Sequence, residues 1–332
     1  MEPKDILVRF IRKSYRLIMR GKFANLSCEI NRQHSNQIIY ESLMHNGPLM
    51  ISRFGTVELN AVNNYLCIIS TKPYYRKIWK YISDNTHTPW WYSEHFKFLE
   101  VNAGVFPQGK ETATKFAERY LEDIPFIDIL GSFQYYEKFM PLNPTVQRLH
   151  LETLYPFFVD NPWTIALKNK KVLVIHPFEE SIKYQYNRRD KLFENKNILP
   201  DFQLITFKPI QSAAEMKVPF NDWFEALNFM KEKIEKIDFD ICLLGCGAYG
   251  LPLAAHIKRM GKKAVHLGGG LQLIFGIKGK RWDNPNYGIE EFKQYEGLMS
   301  KPYQSLYNEF WIRPLPENTP STADKIENAT YW

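Results

Sequence analysis

Residues 238–282 constrain the fold of this chain more than any other segment, because they combine two strands with two glycine-rich turns. An apolar run at 240–244 leads into Gly245-Cys-Gly-Ala-Tyr-Gly250, and a helical pattern at 251–260 ends at Gly261. A second strand pattern at 264–267 leads into Gly268-Gly-Gly270. Glycines let a backbone approach phosphate, and the helix after them offers unpaired N–H groups at its positive end. The segment therefore predicts a phosphate or nucleotide contact; the alternative is a tight turn that only packs the helix.

Two common ligands of such a turn are disfavoured by the residues that come after it. A dinucleotide site expects an acidic residue at the end of the next strand, where it binds the ribose hydroxyls. Here that strand ends in His266-Leu-Gly-Gly-Gly270. An S-adenosylmethionine site normally opens its sheet with this unit, yet only 82 residues come after Gly250. We therefore expect no NAD, and a methyltransferase is the third choice of function.

The second turn precedes a cluster of positive charges. Lys278, Lys280 and Arg281 lie close in sequence and come just before Trp282. Three glycines after a strand form a backbone concavity suited to an anion, and an arginine binds a diphosphate through two parallel hydrogen bonds. A neighbouring tryptophan stacks on a sugar or a base. The alternative is a solvated basic loop with a core tryptophan.

Two other strand ends carry candidate side chains. The segment Ile175-His-Pro-Phe-Glu-Glu-Ser-Ile182 places His176 directly after a strand, with Ser181 as a helix cap or a phosphate ligand. His176 is either a site residue or a hydrogen-bonded structural histidine. The segment Ser52-Arg-Phe-Gly-Thr-Val-Glu58 places Glu58 in the first turn of a helix. Glu58 is a catalytic candidate there; the alternatives are a favourable interaction with the helix dipole or an ion pair with Arg53.

Alternating patterns along the body predict an α/β fold. Strands are expected at 48–54, 124–130, 171–175, 202–207, 240–244 and 264–267, and helices at 59–69, 223–237 and 251–260. This order implies a mostly parallel, Rossmann-like sheet with helices on both faces. Turn chemistry near 160–170 divides an N-terminal α/β part at 23–165, which carries Arg53 and Glu58, from a C-terminal Rossmann-like part at 166–332. The second part is expected to end in an extended strap at 313–321.

The positive charge of the chain is concentrated at its beginning. The net charge is +7, and most of that excess lies in the first 22 residues. A nucleic-acid partner needs a basic face on the folded domain, so this distribution argues against one. Residues 4–20 have apolar side chains at helical spacing with basic ones between them, and Gly21 ends the run. We expect a basic amphipathic helix at 1–22 that contacts either an anionic membrane surface or its own domain.

Two further features bear on the compartment. No apolar run approaches the ~20 residues of a membrane span, so we expect a cytoplasmic protein, peripheral at the inner face of the membrane if residues 4–20 bind lipid. The four cysteines lack zinc-site spacing and are expected to be free thiols. We therefore expect no zinc.

Several of these segments, taken together, resemble one bacterial family. That family comprises the glycosyltransferases with the GT-D-type fold and their close relatives, which are associated with surface polysaccharides, including capsule, and with glycoproteins. The resemblance runs from about residue 48 to 332 and is most specific at 240–282. It rests on Arg53-Phe-Gly-x-x-Glu58, Asn102-Ala-Gly-Val-Phe-Pro107, Val174-Ile-His-Pro-Phe178, Gln185-Tyr186, Gly245-Cys-Gly-Ala-Tyr-Gly-Leu-Pro252, His266-Leu-Gly-Gly and Phe275-Gly-Ile-Lys-Gly-Lys-Arg-Trp282.

The resemblance implies a function and a set of site residues. The expected reaction moves a sugar from a nucleoside diphosphate donor to a polysaccharide, glycoprotein or lipid-linked acceptor; the alternative is a non-catalytic nucleotide-sugar-binding or scaffold protein. Glu58, His176 and Arg53 are the expected catalytic residues, with Glu58 or His176 as base. The expected donor-binding residues are Gly55, Thr56, Ser181, Gly245, Gly247, Tyr249, Gly250, His266, Gly268, Gly269, Gln272, Lys280, Arg281 and Trp282.

The family also implies a divalent metal, and here the chain departs from the pattern. Better-described members carry Asp-x-Glu inside a stretch like Arg53-Phe-Gly-Thr-Val-Glu58, and Thr56 stands where the Asp would be. Glu58 is thus the expected ligand of Mn²⁺ or Mg²⁺, although such cations prefer several oxygen ligands. No haem is expected.

Overall fold

Seven parallel strands form one sheet in the order β3-β2-β1-β7-β6-β4-β5. The structure is a computed structural model and describes residues 3–18, 27–83, 86–213, 216–287, 289, 295, 298, 301–319 and 329–332. The strands are β1 Leu49–Ser52, β2 Ile129–Ser132, β3 Gln147–His150, β4 Lys171–Ile175, β5 Gln203–Phe207, β6 Ile241–Leu244 and β7 Lys263–His266. The predicted Rossmann-like α/β class is confirmed.

The described α-helices lie before, between and after these strands, with four of them between β1 and β2. They are α1 Pro3–Ile18, α2 Arg32–Met44, α3 Thr56–Ile69, α4 Tyr74–Ile82, α5 Ser93–Ala103, α6 Lys110–Asp123, α7 Glu179–Tyr186, α8 Trp223–Ile234, α9 Gly250–Arg259 and α10 Leu271–Ile274. Residues 1, 2 and 19–22 of the first predicted helix, and residues 320 and 321 of the predicted strap, lie outside the described residues. No helix in the described part of the chain combines the length and apolar character needed to cross a membrane.

Successive strand residues point to opposite faces of the sheet, so each strand feeds two cores. Val172 and Val174 of β4 belong to one core, which includes α2, α7 and α10. Leu173 and Ile175 belong to the other, which includes α3, α5, α6, α8 and α9. Strands buried on both faces need continuous apolar runs, and β1, β4 and β6 have them. The prediction of helices on both faces is confirmed.

One predicted strand was misplaced and one was missed. Residues Ile124–Phe126 of the predicted strand at 124–130 form a 3₁₀ turn, with Pro125 near its start, and β2 begins only at Ile129. Pro125 has no N–H group to donate to a neighbouring strand, which favours a turn there. The missed strand, β3, lies at the edge of the sheet, and its first two residues are polar and partly exposed.

The sheet runs across the boundary predicted near 160–170. β1 precedes that boundary and pairs with β7, which lies beyond it, through Met50 opposite Ala264 and Ile51 opposite Val265. The two parts therefore contribute neighbouring strands to one sheet. This pairing also brings the segment after β1, with Arg53 and Glu58, beside the glycine turn after β7.

Candidate active site

A cavity of about 460 Å³ lies at the carboxyl edge of the sheet. Residues that come after each of the seven strands line it, from Arg53 after β1 to Gly268 after β7. Open parallel sheets bind ligands at this edge, where strand ends diverge, and the volume is within the usual range of ligand pockets. The segments that come after the strands thus meet at one concave site.

The two glycine turns touch each other in this cavity. A Cβ atom on Gly245 would lie 2.7 Å from the carbonyl oxygen of Gly268 and 2.7 Å from Cδ2 of His176. Gly247 and Gly268 have φ values of +57° and +63°, which side chains other than glycine rarely adopt. Nothing lies within 4 Å of the Cβ position of Gly247. The turns together form a backbone surface with open space above Gly247.

Three charged side chains face the backbone surface or flank it. Arg53, Glu58 and Arg281 all line the cavity, and no other Asp, Glu, Lys or Arg of the described chain does so. Arg53 crosses from β1 towards the second glycine turn, where a Cβ on Gly268 would lie 3.4 Å from its Cδ. The guanidinium groups of Arg53 and Arg281 both act electrostatically on the buried hydroxyl of Tyr155. The site therefore offers two cations and one carboxylate, which favours an anionic ligand.

Glu58 is held at the start of α3. It is buried, at 8% exposure, and its carboxylate lies against Gly55, so that any side chain at Gly55 would collide with it. Gly55 caps α3 and Glu58 is the third residue of that helix, which is the position where a glutamate reaches back to the cap residue. Glu58 thus combines a helix-end position with a place in the cavity wall. Its charge also contributes to raising the pKa of Tyr120, after the larger effect of burial.

His176 is placed to donate a hydrogen bond rather than to accept a proton. Its Nδ1 accepts the backbone N–H of Phe178 at 3.0 Å, so the proton of the neutral ring is on Nε2. Burial lowers the pKa of His176 to about 3. A general base needs a free lone pair and a pKa near the working pH, and this ring has neither. The predicted base role of His176 is therefore not supported, although its place in the cavity is.

His266 lines the cavity and packs against Gly250, which lies behind it. The ring of His266 accepts from or donates to Ser52 Oγ at 3.1 Å through Nδ1 and lies against Gly250, where a Cβ atom would collide with it. Burial, then the charge of Arg53, lowers the pKa of His266 to about 3. Gly250 does not line the cavity. Position 250 requires a glycine because the imidazole of His266 approaches so closely, and not because a phosphate binds there.

Two other predicted donor-binding residues lie away from the cavity. Ser181 is fully buried and uses its hydroxyl within the protein, donating to Oδ1 of Asn318 at 2.6 Å and accepting the N–H of Leu315 at 2.9 Å. Lys280 does not line the cavity, although its backbone N–H donates to the carbonyl of Trp332. Ser181 therefore ties α7 to the segment at 313–319, and Lys280 holds the segment at 329–332.

The remaining predicted residues line the cavity, several of them through rigid contacts. Gln272 is buried and donates from Nε2 to the carbonyls of Lys278 and Tyr331. Tyr249 stacks on Trp223 at 5.0 Å and shares a hydrogen bond of 2.9 Å with Ser212. Trp282 is 3% exposed, which makes it a core residue at the edge of the wall. The predicted residues found in the lining are Arg53, Gly55, Thr56, Glu58, His176, Gly245, Gly247, Tyr249, His266, Gly268, Gly269, Gln272, Arg281 and Trp282.

The lining also contains residues that the sequence analysis did not name as site residues, among them Asn102, Tyr155, Tyr331 and Trp332. Tyr331 packs against Gly269 so closely that a Cβ there would collide with its ring, and Trp332 contacts Phe178 edge-on at 5.5 Å. Tyr155 lies against Gly270 in the same way. Asn102 belongs to the resemblance motif at 102–107, but no periodic pattern pointed to Tyr155, Tyr331 or Trp332. Contacts between segments distant in sequence bring them to the wall.

Comparisons of the chain with protein-family models, with curated proteins and with solved structures found no match. The geometry of the cavity is therefore the basis for a functional proposal.

The side chains present do not form a metal site. Among the residues that the structure describes, no three or more His, Cys, Asp or Glu side chains converge as metal ligands. Glu58 is the one carboxylate in the cavity lining as described, and Thr56 adds a hydroxyl. Mg²⁺ and Mn²⁺ prefer several oxygen ligands, so this donor set does not fit a protein-held cation.

Proposed function

We propose that the chain is a glycosyltransferase whose cavity binds a nucleoside diphosphate sugar. The observation that carries the proposal is the contact between the two glycine turns, with Arg53 and Arg281 beside them and Glu58 in the same cavity. A diphosphate carries negative charge along its whole length, and this combination of backbone and guanidinium groups matches it. The resemblance at 240–282 supports the same ligand class.

The reaction would depend mainly on stabilising the leaving group. The oxygen of an acceptor hydroxyl attacks the anomeric carbon of the sugar, and the bond from that carbon to the diphosphate oxygen breaks. Negative charge then grows on the diphosphate. N–H groups of the turns at 245–250 and 268–270, together with Arg53 and Arg281, would stabilise that charge in a site that needs little reorganisation.

Glu58 is the proposed base towards the acceptor hydroxyl. Within the cavity lining as described it is the side chain that can take a proton as a carboxylate. His176, with its proton on Nε2, is assigned instead to donating a hydrogen bond to the donor or to the leaving group. This division rests on the hydrogen bond between His176 and Phe178 and on the charge of Glu58.

Release of the nucleoside diphosphate tests the proposal. The chain is incubated with uridine, guanosine and thymidine diphosphate sugars, each with glycan and lipid-linked acceptors, and free diphosphate is measured with time. Turnover with at least one donor, dependent on the acceptor, is expected. A complete lack of turnover combined with tight donor binding would instead support the second candidate.

The second candidate is a nucleotide-sugar-binding or scaffold protein without turnover. The single carboxylate of the cavity favours it, since Thr56 stands where the resembled family has an acidic residue. Calorimetry would then show binding of a nucleoside diphosphate sugar that is unchanged in the Glu58→Gln variant, with no donor consumed. Donor consumption by the unaltered chain would exclude it.

A further inference from the structure

An exposed apolar surface lies on α1 and α4. The structure describes fourteen large apolar or aromatic side chains as exposed, and ten of them lie on α1 or at residues 69–79. Isolated exposed apolar residues are normal, but a cluster marks a contact surface. The ten, which define the α1/α4 surface, are Ile6, Leu7, Phe10, Ile11, Leu17, Ile18, Ile69, Tyr74, Tyr75 and Trp79.

Two arginines of α1, Arg9 and Arg12, face the rest of the protein, whereas Lys13 is exposed. The guanidinium of Arg9 lies 4.1 Å from the ring centre of Tyr92, and that of Arg12 lies 4.1 Å from the ring centre of Tyr81. Arg12 also donates to the hydroxyl of Tyr136 at 3.0 Å. On the opposite face Phe10 is 67% exposed and Ile18 is 81% exposed. A helix that only covered its own domain would bury the apolar face and leave the basic face in water.

Because this orientation exposes the apolar face of α1, we expect that face to contact a partner outside the described chain. An aqueous surface gives no reason to expose six large apolar side chains while arginines are held on aromatic rings. A bilayer does, because the apolar face of an interfacial helix enters the boundary between headgroups and acyl chains.

α4 adds charge and interfacial aromatics to the same surface. Tyr15 of α1 meets Trp79 of α4 edge-on, with ring centres 6.2 Å apart. Trp79 is 60% exposed and Tyr75 is 67% exposed, and tryptophan and tyrosine are the residues enriched at membrane–water interfaces. Residues 70–82 contain four basic residues, Lys72, Arg76, Lys77 and Lys80, and no acidic one.

The lysines of this segment are close enough to repel one another. The neighbouring ammonium group of Lys72 lowers the pKa of Lys80, with burial as a smaller cause. An anion placed between them would relieve that repulsion. The charge of the surface therefore complements anionic headgroups, while its rings and aliphatic side chains complement the layer beneath them.

We propose that the α1/α4 surface binds an anionic phospholipid bilayer. The contact of Arg12 with Tyr136, four residues after β2, places the middle of α1 near the carboxyl edge of the sheet, the edge that carries the cavity. α3 begins at the cavity wall and ends at Ile69. Its length places Ile69 roughly 20 Å from the start of the helix. The surface therefore extends from near the carboxyl edge of the sheet to the far end of α3.

The test measures co-sedimentation of the full chain with two kinds of vesicle. One kind contains phosphatidylcholine alone, and the other contains about one third phosphatidylglycerol. We expect binding to the anionic vesicles that is at least about tenfold stronger and that weakens in high salt, since several basic residues contribute. The Lys72→Glu/Arg76→Glu/Lys80→Glu variant and the Leu7→Ser/Phe10→Ser variant should each lose about tenfold or more.

Matched control variants change the same residue types elsewhere. Lys168→Glu/Lys170→Glu alters exposed lysines at the amino end of β4, and Met44→Ser removes an exposed apolar side chain at the end of α2. Both should bind vesicles like the unaltered chain. Brominated acyl chains should quench tryptophan fluorescence less in Trp79→Phe than in the unaltered chain, because the variant lacks the tryptophan at the proposed membrane surface. Phe is chosen because it keeps the ring contact with Tyr15.

Three results would overturn the proposal. These are equal binding to neutral and anionic vesicles, retention of binding by both surface variants, and a dimer of the unaltered chain that Leu7→Ser/Phe10→Ser converts to monomers without any vesicle binding. The last result would assign the surface to a second copy of the chain. The assay contains no sugar donor, so its failure leaves the proposed function standing, and an inactive chain can still bind vesicles.

Discussion

The two walls of the cavity are built in different ways. The glycine wall, at 245–250 and 268–270, is backbone, and its shape depends on contacts such as Gly245 against Gly268 and Gly269 against Tyr331. The charged wall consists of side chains, with Arg53 and Glu58 from the segment after β1 and Arg281 from the segment after α10. Substitutions should therefore act differently in the two walls. Changes in the charged wall alter chemistry in an intact fold, whereas changes in the glycine wall alter the fold first.

Glu58→Gln should give the largest effect of any single change. Gln keeps the size of the side chain and can still reach back to the cap of α3, but it cannot take a proton as a carboxylate. Turnover should fall by about 10² to 10⁴, the usual contribution of a general base, while the melting temperature changes little. Rates of diphosphate release and a melting curve check both parts.

Glu225→Gln is the matched control for that change. Glu225 occupies the same third position of α8, accepts the N–H of Asn221 at 2.7 Å, and lies outside the cavity. It should leave turnover unchanged. Equal rates for Glu58→Gln and Glu225→Gln would mean that Glu58 only caps its helix and that the charged wall contains no catalytic base.

Arg53→Lys and Arg281→Lys should each weaken donor binding. Lysine keeps the charge but loses the planar pair of donors that fits a diphosphate. Losing a hydrogen bond to a charged group costs about 1.5–3 kcal/mol, so the donor Kd should rise by roughly 10- to 100-fold. Calorimetry of each variant measures it.

Arg189→Lys provides the comparison for the arginines. Arg189 pairs with Asp201 at 2.6 Å on the surface and does not line the cavity. Donor affinity should be unaffected by this change. If all three arginine variants bound donor equally well, the charged wall would have no role in donor recognition.

Gly245→Ala tests whether the glycine wall is set by packing. The added methyl group would press on the backbone carbonyl of Gly268, which has no flexible side chain to move aside. Overpacking of this kind costs about 1–3 kcal/mol, and we expect the upper end of that range in urea unfolding. Gly247→Ala meets no atom within 4 Å and should cost about 1 kcal/mol, from its positive φ alone. A smaller loss at Gly245 than at Gly247 would show that the two turns are not in contact.

The buried histidines predict that the stability of the folded chain depends on pH. Burial holds the pKa of His176 and of His266 at about 3, and that of His150 at about 4, below the ordinary value of 6.5. Between those values the unfolded chain binds protons that the folded chain does not, so stability falls as the pH drops below about 6.5. Each histidine adds up to about 1.4 kcal/mol per pH unit.

Urea unfolding at pH 7, 6 and 5 measures this slope. His176→Asn keeps an acceptor for the N–H of Phe178 and should make the slope shallower. An unchanged slope in that variant would mean that His176 titrates normally in the folded chain, which would reopen its role as a base.

Sequence patterns predicted the central part of the fold because that part is locally encoded. β6, α9 and β7 lie within one or two residues of the predicted bounds, since buried parallel strands are continuous apolar runs and Gly261 ends the helix. β3 was missed because an edge strand needs only one partner and tolerates polar residues such as Gln147 and Arg148.

The candidate site was predictable to the extent that it lies at strand ends. Arg53, His176, Gly245 and Gly268 come directly after buried strands and meet at the carboxyl edge as that position requires. Gly250 and Ser181 fit the same patterns but serve packing, against His266 and Asn318. A sequence motif cannot distinguish a glycine that faces a ligand from one that faces an imidazole, because in both places there is no room for a side chain. Tyr331 reaches the wall from residues 329–332, which no local pattern predicts.

Thermal unfolding with nucleoside diphosphate sugars measures whether the cavity binds this class of ligand. The unaltered chain and an Arg53→Ala/Arg281→Ala variant are melted with uridine, guanosine and thymidine diphosphate sugars, with and without Mn²⁺, and with S-adenosylmethionine and NAD as comparison ligands. A ligand at about 100 times its Kd stabilises the native state by about 2.7 kcal/mol, which raises the Tm of a chain this size by several degrees. We predict such a rise for at least one diphosphate sugar, none for the comparison ligands, and its loss in the double variant. A rise with S-adenosylmethionine or NAD alone, or an equal rise in the double variant, would contradict the assignment of this cavity to a diphosphate sugar.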